Sequence, residues 1–278
     1  MIKKITQLAR ILSLDVVLGA IVGSLFIADY LQVQLPWFFV LALAICVWLI
    51  YTADHLSDAL KIPHIAHTAR HRFHQKFFKP IATVFCLISV SGLVLISQLP
   101  FSIILWGSVV LGMVGLYFIS IRWLRLQEII HKEFVIAFLY SVGIFLAPVY
   151  LKYSSLGITV WVLFIEYILI ALCNLLLFSW YEKDLDEQDQ HVSYATAAGN
   201  KTAFRTLIGC IASLYAMVVL STSFLYSSIN FLSTQLIILL MVVTLHGILQ
   251  FPSHFRQYER YRSVADAVFF YPIILLLL

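Results

Sequence analysis

The segment 157-GITVWVLFIEYILIALCNLLLFSW-180 contains 24 residues, and Glu166 is its only charged side chain. An α-helix needs about 20 apolar residues to cross the hydrocarbon core of a bilayer. The segment is therefore predicted to be a membrane-spanning helix. It is followed at once by 181-YEKDLDEQDQH-191, in which six of the eleven residues are Asp, Glu or Lys. The predicted span thus ends among acidic residues.

Eight further apolar runs of similar length occur along the chain. Together with the first run they predict nine spans, at 9–29, 36–58, 80–98, 101–121, 132–151, 157–180, 204–226, 230–251 and 263–278. Backbone groups in hydrocarbon must hydrogen-bond within their segment, and the runs lack the alternation of a membrane β-barrel, which favours helices. Because 62% of the residues are hydrophobic and only 12% are charged, a soluble globular protein is excluded. We expect an all-α polytopic membrane protein with a single transmembrane domain over residues 1–278.

The distribution of Lys and Arg predicts the orientation of the chain. If the N-terminus is cytoplasmic, every Lys and Arg except Lys152 falls on the inner side. This is the asymmetry that the positive-inside rule describes. The net charge of +4 therefore reflects insertion into the membrane, and nucleic acid is not expected as a partner. We expect an integral protein of a bacterial inner membrane, with a cytoplasmic N-terminus and an external C-terminus.

Two of the inner loops follow spans whose last turns carry paired acids. The first sequence is 51-YTADHLSDALK-61 and the second is 181-YEKDLDEQDQH-191, each an aromatic residue followed by carboxylates. Their likeness is compatible with an internal repeat that relates spans 1–4 to spans 5–8. Side chains four residues apart lie on one face of a helix, one turn from each other. The pairs with this spacing are Asp54 with Asp58 and Glu182 with Asp186.

Carboxylates near apolar surroundings repel one another unless a cation lies between them. Magnesium prefers oxygen ligands and commonly bridges one or two carboxylates to a substrate diphosphate. The two pairs therefore indicate a Mg2+ and diphosphate site, or, as the alternative, only the solvated ends of two helices. Basic residues near the pairs would neutralise a departing diphosphate, or would serve only to orient the chain. The candidate diphosphate contacts are Arg70, Arg72, Arg122, Lys132 and Lys183.

The arrangement resembles the UbiA superfamily of intramembrane prenyltransferases, in which nine helices carry two Asp-rich motifs after helices 2 and 6. The first motif of that superfamily is N-D-x-x-D-x-x-x-D, and the segment 50-IYTADHLSD-58 is similar to it. Asp54 and Asp58 match the last two acids. Ile50 and Tyr51 occupy the positions of the Asn and the first Asp.

The second motif of the superfamily is D-x-x-x-D, followed by a Thr-containing stretch. The segment 182-EKDLDEQDQHVSYATAAG-199 is similar to it. Glu182 takes the place of the first Asp, and Asp186 matches the second. Thr196 and Gly199 match the stretch that follows.

The resemblance covers the whole chain in architecture and implies about nine helices around a central cavity. It implies an enzyme, a transferase of alkyl groups other than methyl, which moves a polyprenyl group from its diphosphate to a hydrophobic acceptor in the membrane lipid. The implied cofactor is Mg2+, held between the diphosphate and the two motifs. The implied catalytic residues and metal ligands are Asp54, Asp58, Glu182 and Asp186. The expected substrate contacts are Tyr51, Arg70, Arg72, Arg122, Lys132 and Lys183.

Two other functions on the same scaffold stay open. Ile50 and Tyr51 remove two oxygen ligands from the first motif, so a catalytically altered UbiA-like protein is one alternative. A small-molecule or ion transporter is the other, because Asp15, Glu166 and Asp266 lie inside predicted spans. Ionisable residues in such positions commonly mark ion or substrate pathways.

The segment 64-HIAHTARHRFH-74 carries four histidines at spacings of three, four and three residues. On a single helix they would share one face. Cytoplasmic histidine clusters also bind iron in membrane metalloenzymes, which gives a third and less favoured alternative. The simpler interpretation is an amphipathic segment at the membrane interface whose charge depends on pH.

Overall fold

This computed structural model describes residues 2–62, 64–122, 132–225 and 228–278. All the regular structure in those ranges is helical, which confirms the all-α prediction. In chain order the α-helices are α1 (Ile2–Ile11), α2 (Leu14–Tyr30), α3 (Trp37–Lys61), α4 (Ala69–Lys76), α5 (Phe78–Ile96), α6 (Phe101–Arg122), α7 (Lys132–Lys152), α8 (Ile158–Gln188), α9 (Tyr194–Ala198), α10 (Asn200–Phe224), α11 (Ile229–Gln250), α12 (Pro252–Arg256), α13 (Arg260–Ala267) and α14 (Ile273–Leu276). Single turns of 3₁₀ helix occur at Tyr153–Ser155, Gln257–Glu259 and Val268–Phe270.

Six of the described helices, α3, α5, α7, α8, α10 and α11, are long and apolar enough to cross a membrane. This indicates an integral membrane protein. The three other predicted spans coincide with shorter or divided helices. Helix α2 has 17 residues, the apolar part of α6 covers Phe101–Tyr117, and the turn Val268–Phe270 separates α13 from α14.

The first predicted span, 9–29, is divided at Ser13. The backbone of Ser13 is left-handed, with φ of 56°, so the helical hydrogen-bond pattern is interrupted between α1 and α2. The Ser13 hydroxyl lies 3.1 Å from Nε2 of His55, near the C-terminal end of α3. The division therefore lies against the polar end of α3.

Helix α8 lies at the centre of the bundle, packed against α7, α10 and α11. It is apolar on all sides over most of its length, as expected for a helix surrounded by others, and Leu163 and Ile170 are fully buried. By contrast, α5 leaves Leu87 and Leu93 more than half exposed on its outer face, as expected for contact with lipid. Because α8 runs without a break to Gln188, its acidic end is part of the same rigid element.

Helix α2 approaches its neighbours closely at two glycines one turn apart. A Cβ at Gly19 would lie 2.9 Å from Cβ of Phe269, and a Cβ at Gly23 would lie 3.3 Å from Ile144. Small residues four apart allow such close contact between membrane helices. The two glycines therefore allow α2 to pack closely against α7, which carries Ile144, and against the turn Val268–Phe270, which carries Phe269.

We expect Gly19→Val to destabilise the protein by about 1–3 kcal/mol, because the added methyl groups overlap Phe269 in a packed contact. The measurement is the midpoint of thermal unfolding of the purified protein in detergent. Gly112→Val on α6 is the matched control, since no atom lies within 4 Å of a Cβ at Gly112. Equal midpoints for the two variants would contradict the close packing of α2.

Candidate functional site

A cavity of about 120 Å3, lined by many charged side chains, lies between the C-terminal ends of α3 and α8. Both acidic pairs that the sequence singles out line this space, which we call the acidic cavity. Each pair occupies the last turns of its helix, so the four-residue spacing turns both members of a pair to the same side. The charged and imidazole side chains that line the cavity are Asp54, Asp58, Glu133, Glu182, Asp186, Arg70, Lys132, Arg262, His55, His71 and His191.

Three further elements complete the walls of the acidic cavity. Helix α7 begins with Lys132 and Glu133, the short helix α4 brings Arg70 and His71, and α13 brings Arg262. All three of these elements contribute a Lys or Arg. The cavity therefore combines carboxylates from two long helices with cations from their neighbours.

Asp58 is 4% exposed and lies among basic groups. Its Oδ1 accepts a hydrogen bond of 3.1 Å from Nζ of Lys61, one turn later on α3. Nζ of Lys132 lies 3.8 Å from Oδ2 of Asp58 and donates a hydrogen bond of 2.5 Å to Nε2 of His191. Lys132 thus joins the end of α3 to the loop after α8.

Glu182 is held by the C-terminal part of the chain. The hydroxyl of Tyr261 donates a hydrogen bond of 2.9 Å to Oε1 of Glu182, and the guanidinium of Arg262 donates to Oε2. The ring of Tyr261 stacks on that of Tyr181, with 4.3 Å between centroids, and the guanidinium of Arg262 lies 5.4 Å from the ring centroid of Phe178. These contacts fix α13 on α8 and neutralise one buried carboxylate.

The two remaining acids of the pairs keep more of their oxygen atoms available. Asp186 interacts with the hydroxyl of Ser193. Asp54 has no hydrogen bond or ion pair with any residue that the structure describes. These two carboxylates are consequently the groups of the cavity best able to accept a ligand.

Three of the predicted substrate contacts also line the acidic cavity: Tyr51, Arg70 and Lys132. The side chain of Tyr51 forms part of the wall. The side chain of a fourth predicted contact, Arg122, lies outside the described residues. The structure thus places both an aromatic and two cationic groups beside the acidic pairs.

Two other predicted contacts, Arg72 and Lys183, do not line the cavity. Arg72 is on the exposed side of α4 and donates a hydrogen bond of 3.2 Å to the carbonyl oxygen of His67. Nζ of Lys183 lies 2.6 Å from Oε1 of Glu187, one turn further along α8. Neither side chain therefore contacts the acidic pairs of the cavity.

Five of the charged and imidazole side chains that line the cavity were not predicted as site residues: His55, His71, Glu133, His191 and Arg262. Arg262 could not be found from local spacing, because 80 positions separate it from Glu182. Oε1 of Glu133 accepts a hydrogen bond of 2.7 Å from the backbone N–H of Tyr194, which attaches α9 to α7. His71 could have been predicted, because it directly follows Arg70, which was a predicted diphosphate contact.

The four histidines of residues 64–74 do not share one helical face, which corrects that expectation. Helix α4 begins only at Ala69, so His64 and His67 precede it. His71 and His74 are buried, whereas His64 and His67 are exposed. The segment therefore divides into a loop part and a part that covers the acidic cavity.

Burial lowers the pKa of His71 to about 4, with Lys132 and Arg70 adding to the effect and Asp58 opposing it. Burial and the ammonium group of Lys132 also lower the pKa of His191, to about 3. Both imidazoles are therefore neutral at pH 7. The positive charge of the cavity comes from Lys and Arg alone.

The acids within predicted spans have separate surroundings. Asp15 and Asp266 line a second cavity of about 60 Å3, together with Arg70. Glu166 is fully buried and accepts a hydrogen bond of 3.0 Å from Nε2 of Gln235. Glu166 thus belongs to the helix packing, whereas the other two acids adjoin the candidate site.

Comparison with known proteins finds no matching family, no similar curated protein and no similar solved structure.

The lowered pKa of His71 makes stability depend on pH. Its pKa is about 4 in the folded protein and about 6.5 in the unfolded chain, so between these values the unfolded chain binds more protons. Folding is consequently stabilised as the pH rises through this range. We expect the midpoint of thermal unfolding to fall between about pH 6.5 and about pH 4, and to fall less in His71→Asn.

His254→Asn is the control for this measurement, because His254 is exposed on α12, away from the cavity. This variant is expected to keep the pH dependence of the wild-type protein. An unchanged slope in His71→Asn would show that the folded protein does not hold that imidazole neutral.

Proposed function

We propose that this protein is a UbiA-like prenyltransferase, which uses Mg2+ to transfer a polyprenyl group from its diphosphate to a hydrophobic acceptor. The observation that carries the proposal is the meeting of two acidic pairs, distant in the sequence, at one cavity between the ends of α3 and α8. The same cavity contains Lys and Arg side chains that suit a diphosphate. The second cavity, whose wall includes several apolar and aromatic side chains, adjoins it.

The donor set of the acidic cavity fits a hard divalent cation. Five carboxylates line the cavity against three Lys or Arg side chains, so negative charge is in excess. Carboxylate oxygens are ligands that Mg2+ prefers, and Asp54 has no competing partner among the described residues. The residues that would hold the ion are Asp54, Asp58, Glu182 and Asp186. When bound, Mg2+ withdraws charge from the diphosphate and assists its departure.

The cations of the cavity have different roles in this proposal. Arg70 and Lys132 contact the diphosphate and stabilise the negative charge that grows on it as the bond to the prenyl carbon breaks. Arg262 is already paired with Glu182 and positions that carboxylate. Neutral His71 provides a polar wall without adding charge.

The end of the prenyl chain next to the diphosphate lies in the second cavity. This cavity adjoins the acidic one, because Tyr51, Leu175 and Phe178 line both. Its far wall includes Tyr140 and Phe269, whose rings pack edge to face with centroids 5.5 Å apart. Aromatic rings provide apolar contact for the chain and stabilise the positive charge left on it when the diphosphate departs.

The proposal includes nine spans, with α2, α6 and the C-terminal segment as the three shorter ones. The N-terminus is then on the cytoplasmic side of a bacterial inner membrane and the C-terminus outside. Basic residues at the end of the bundle that carries the acidic cavity, among them Arg70, Arg72 and Arg262, support this orientation. A phosphorylated substrate then enters from the cytoplasm.

The similar placement of the acids on α3 and α8 supports an internal repeat of spans 1–4 and 5–8.

Asp58→Asn and Asp186→Asn are expected to slow Mg2+-dependent release of pyrophosphate from a labelled polyprenyl diphosphate by about 100-fold or more. Removal of one group that stabilises developing charge typically has an effect of that size. The assay uses purified protein in detergent, with and without Mg2+. Asp184→Asn is the matched control, because Asp184 lies on the same helix but is exposed.

Full activity in both cavity variants would overturn the proposed enzyme. Pyrophosphate release without any need for Mg2+ would overturn the role of the ion. If the wild-type protein is inactive but moves ions across vesicle membranes in a manner that depends on Asp15 or Asp266, the transporter alternative is favoured.

Arg70→Gln is expected to raise the KM for the prenyl diphosphate about tenfold, through loss of a charge-assisted hydrogen bond. Arg72→Gln is expected to leave KM unchanged, since Arg72 is exposed and bonded to a backbone carbonyl. Steady-state kinetics over a range of substrate concentrations measures both. The same KM in the two variants would contradict the assignment of Arg70.

A further inference from the structure

A second cluster of possible metal ligands lies outside the acidic cavity, at the loop between α3 and α4. His64, His67 and Asp189 each bring one ligand atom, and these atoms lie within 4.8 Å of one another. Asp189 directly follows α8, and its side chain is only 1% exposed. Nδ1 of His67 lies 2.6 Å from Oδ1 of Asp189, and Nε2 of His64 lies 3.3 Å from the same oxygen.

Three nitrogen atoms approach Oδ1 of Asp189. Besides the two imidazoles, the backbone N–H of His67 lies 3.0 Å from this oxygen. Oδ2 accepts only longer bonds, of 3.2 Å from the N–H of His67 and 3.4 Å from that of Thr68. The two oxygens of a carboxylate offer about four acceptor positions, and four N–H donors, two of them imidazoles, approach them. A cation in the place of the two imidazole protons would be held by the same three side chains.

We propose that His64, His67 and Asp189 bind a zinc ion. Two imidazole nitrogens and one carboxylate oxygen form a donor set that Zn2+ accepts, with a water molecule in the fourth position. Mg2+ prefers oxygen ligands, so the donor set separates this site chemically from the acidic cavity. Zinc–ligand bonds of about 2.0–2.2 Å require the two imidazoles to rotate from their hydrogen-bonded positions, and both side chains are exposed.

The surroundings of Asp189 suit a structural ion. The backbone N–H groups of His67 and Thr68 orient its carboxylate, as outer contacts do in many metal sites. A bound ion connects the loop before α4 to the end of α8. Helix α4 carries Arg70 and His71, so the ion would hold these two side chains over the acidic cavity. This site does not depend on the prenyltransferase proposal.

The test is a titration of the full-length protein in detergent, freed of metal, with Zn2+ in competition with a chromophoric chelator. Millimolar Mg2+ in the buffer reduces binding of zinc to the carboxylates of the acidic cavity. We expect about one equivalent of zinc in the wild-type protein, with a higher midpoint of thermal unfolding when zinc is present. His64→Ala and His67→Ala should lose both the stoichiometric binding and the zinc-dependent stabilisation.

His254→Ala is the matched control, since it removes an exposed histidine that interacts with Arg260 and is not part of the cluster, and it should leave zinc binding unchanged. Gel filtration of each variant shows whether it is folded, and exposed His64 can be truncated without creating a buried cavity. The proposal is overturned if the wild-type protein binds no stoichiometric zinc, because the histidines then only hydrogen-bond to Asp189. It is also overturned if His64→Ala and His67→Ala bind zinc normally while Asp58→Asn loses it, which would place the ion in the acidic cavity.

Discussion

Carboxylates at the ends of apolar helices are costly to bury, and this cost shapes the polar end of the bundle. Asp58 and Glu182 are 4% and 7% exposed, so neither can rely on water for most of its solvation. Each is instead met by a cation from another element, Lys132 at the start of α7 and Arg262 on α13. Buried charge thereby determines which helices must pack together here, because removal of one partner from such a pair leaves the other uncompensated.

The compensation is incomplete, and this is what separates a candidate site from a purely structural ion-pair network. A network whose charges are all matched at close range has little to offer a ligand. In the acidic cavity Asp54 has no hydrogen bond or ion pair with a described residue, and Asp186 interacts with the hydroxyl of Ser193 and with the like charge of Glu182. The surplus of negative charge beside basic side chains is an arrangement in which a cation and an anion can be accommodated together.

The helical class and the pairing of acids could be predicted from the sequence, because both follow from local rules of length and spacing. The same four-residue rule also relates Lys183 to Glu187, and in the structure this local pair prevails over contact with the cavity. Contacts made by distant segments could not be predicted, and Arg262 with Glu182 is the clearest case. The division of the first predicted span at Ser13 could not be predicted either, since serine, unlike glycine, does not favour a left-handed backbone conformation.

Arg70 lines both the acidic cavity and the second cavity, so the two spaces share a single guanidinium group. It interacts electrostatically with Asp15 and Asp266 on one side and with Glu182 on the other. An anion that draws this charge toward itself weakens its attraction for the two aspartates, and a proton or cation taken up by the aspartates frees it for the anion. Occupation of one cavity by an ion is then expected to alter the affinity of the other, and the factor is the same in both directions because such coupling is reciprocal. The shared arginine is the group through which the two cavities interact.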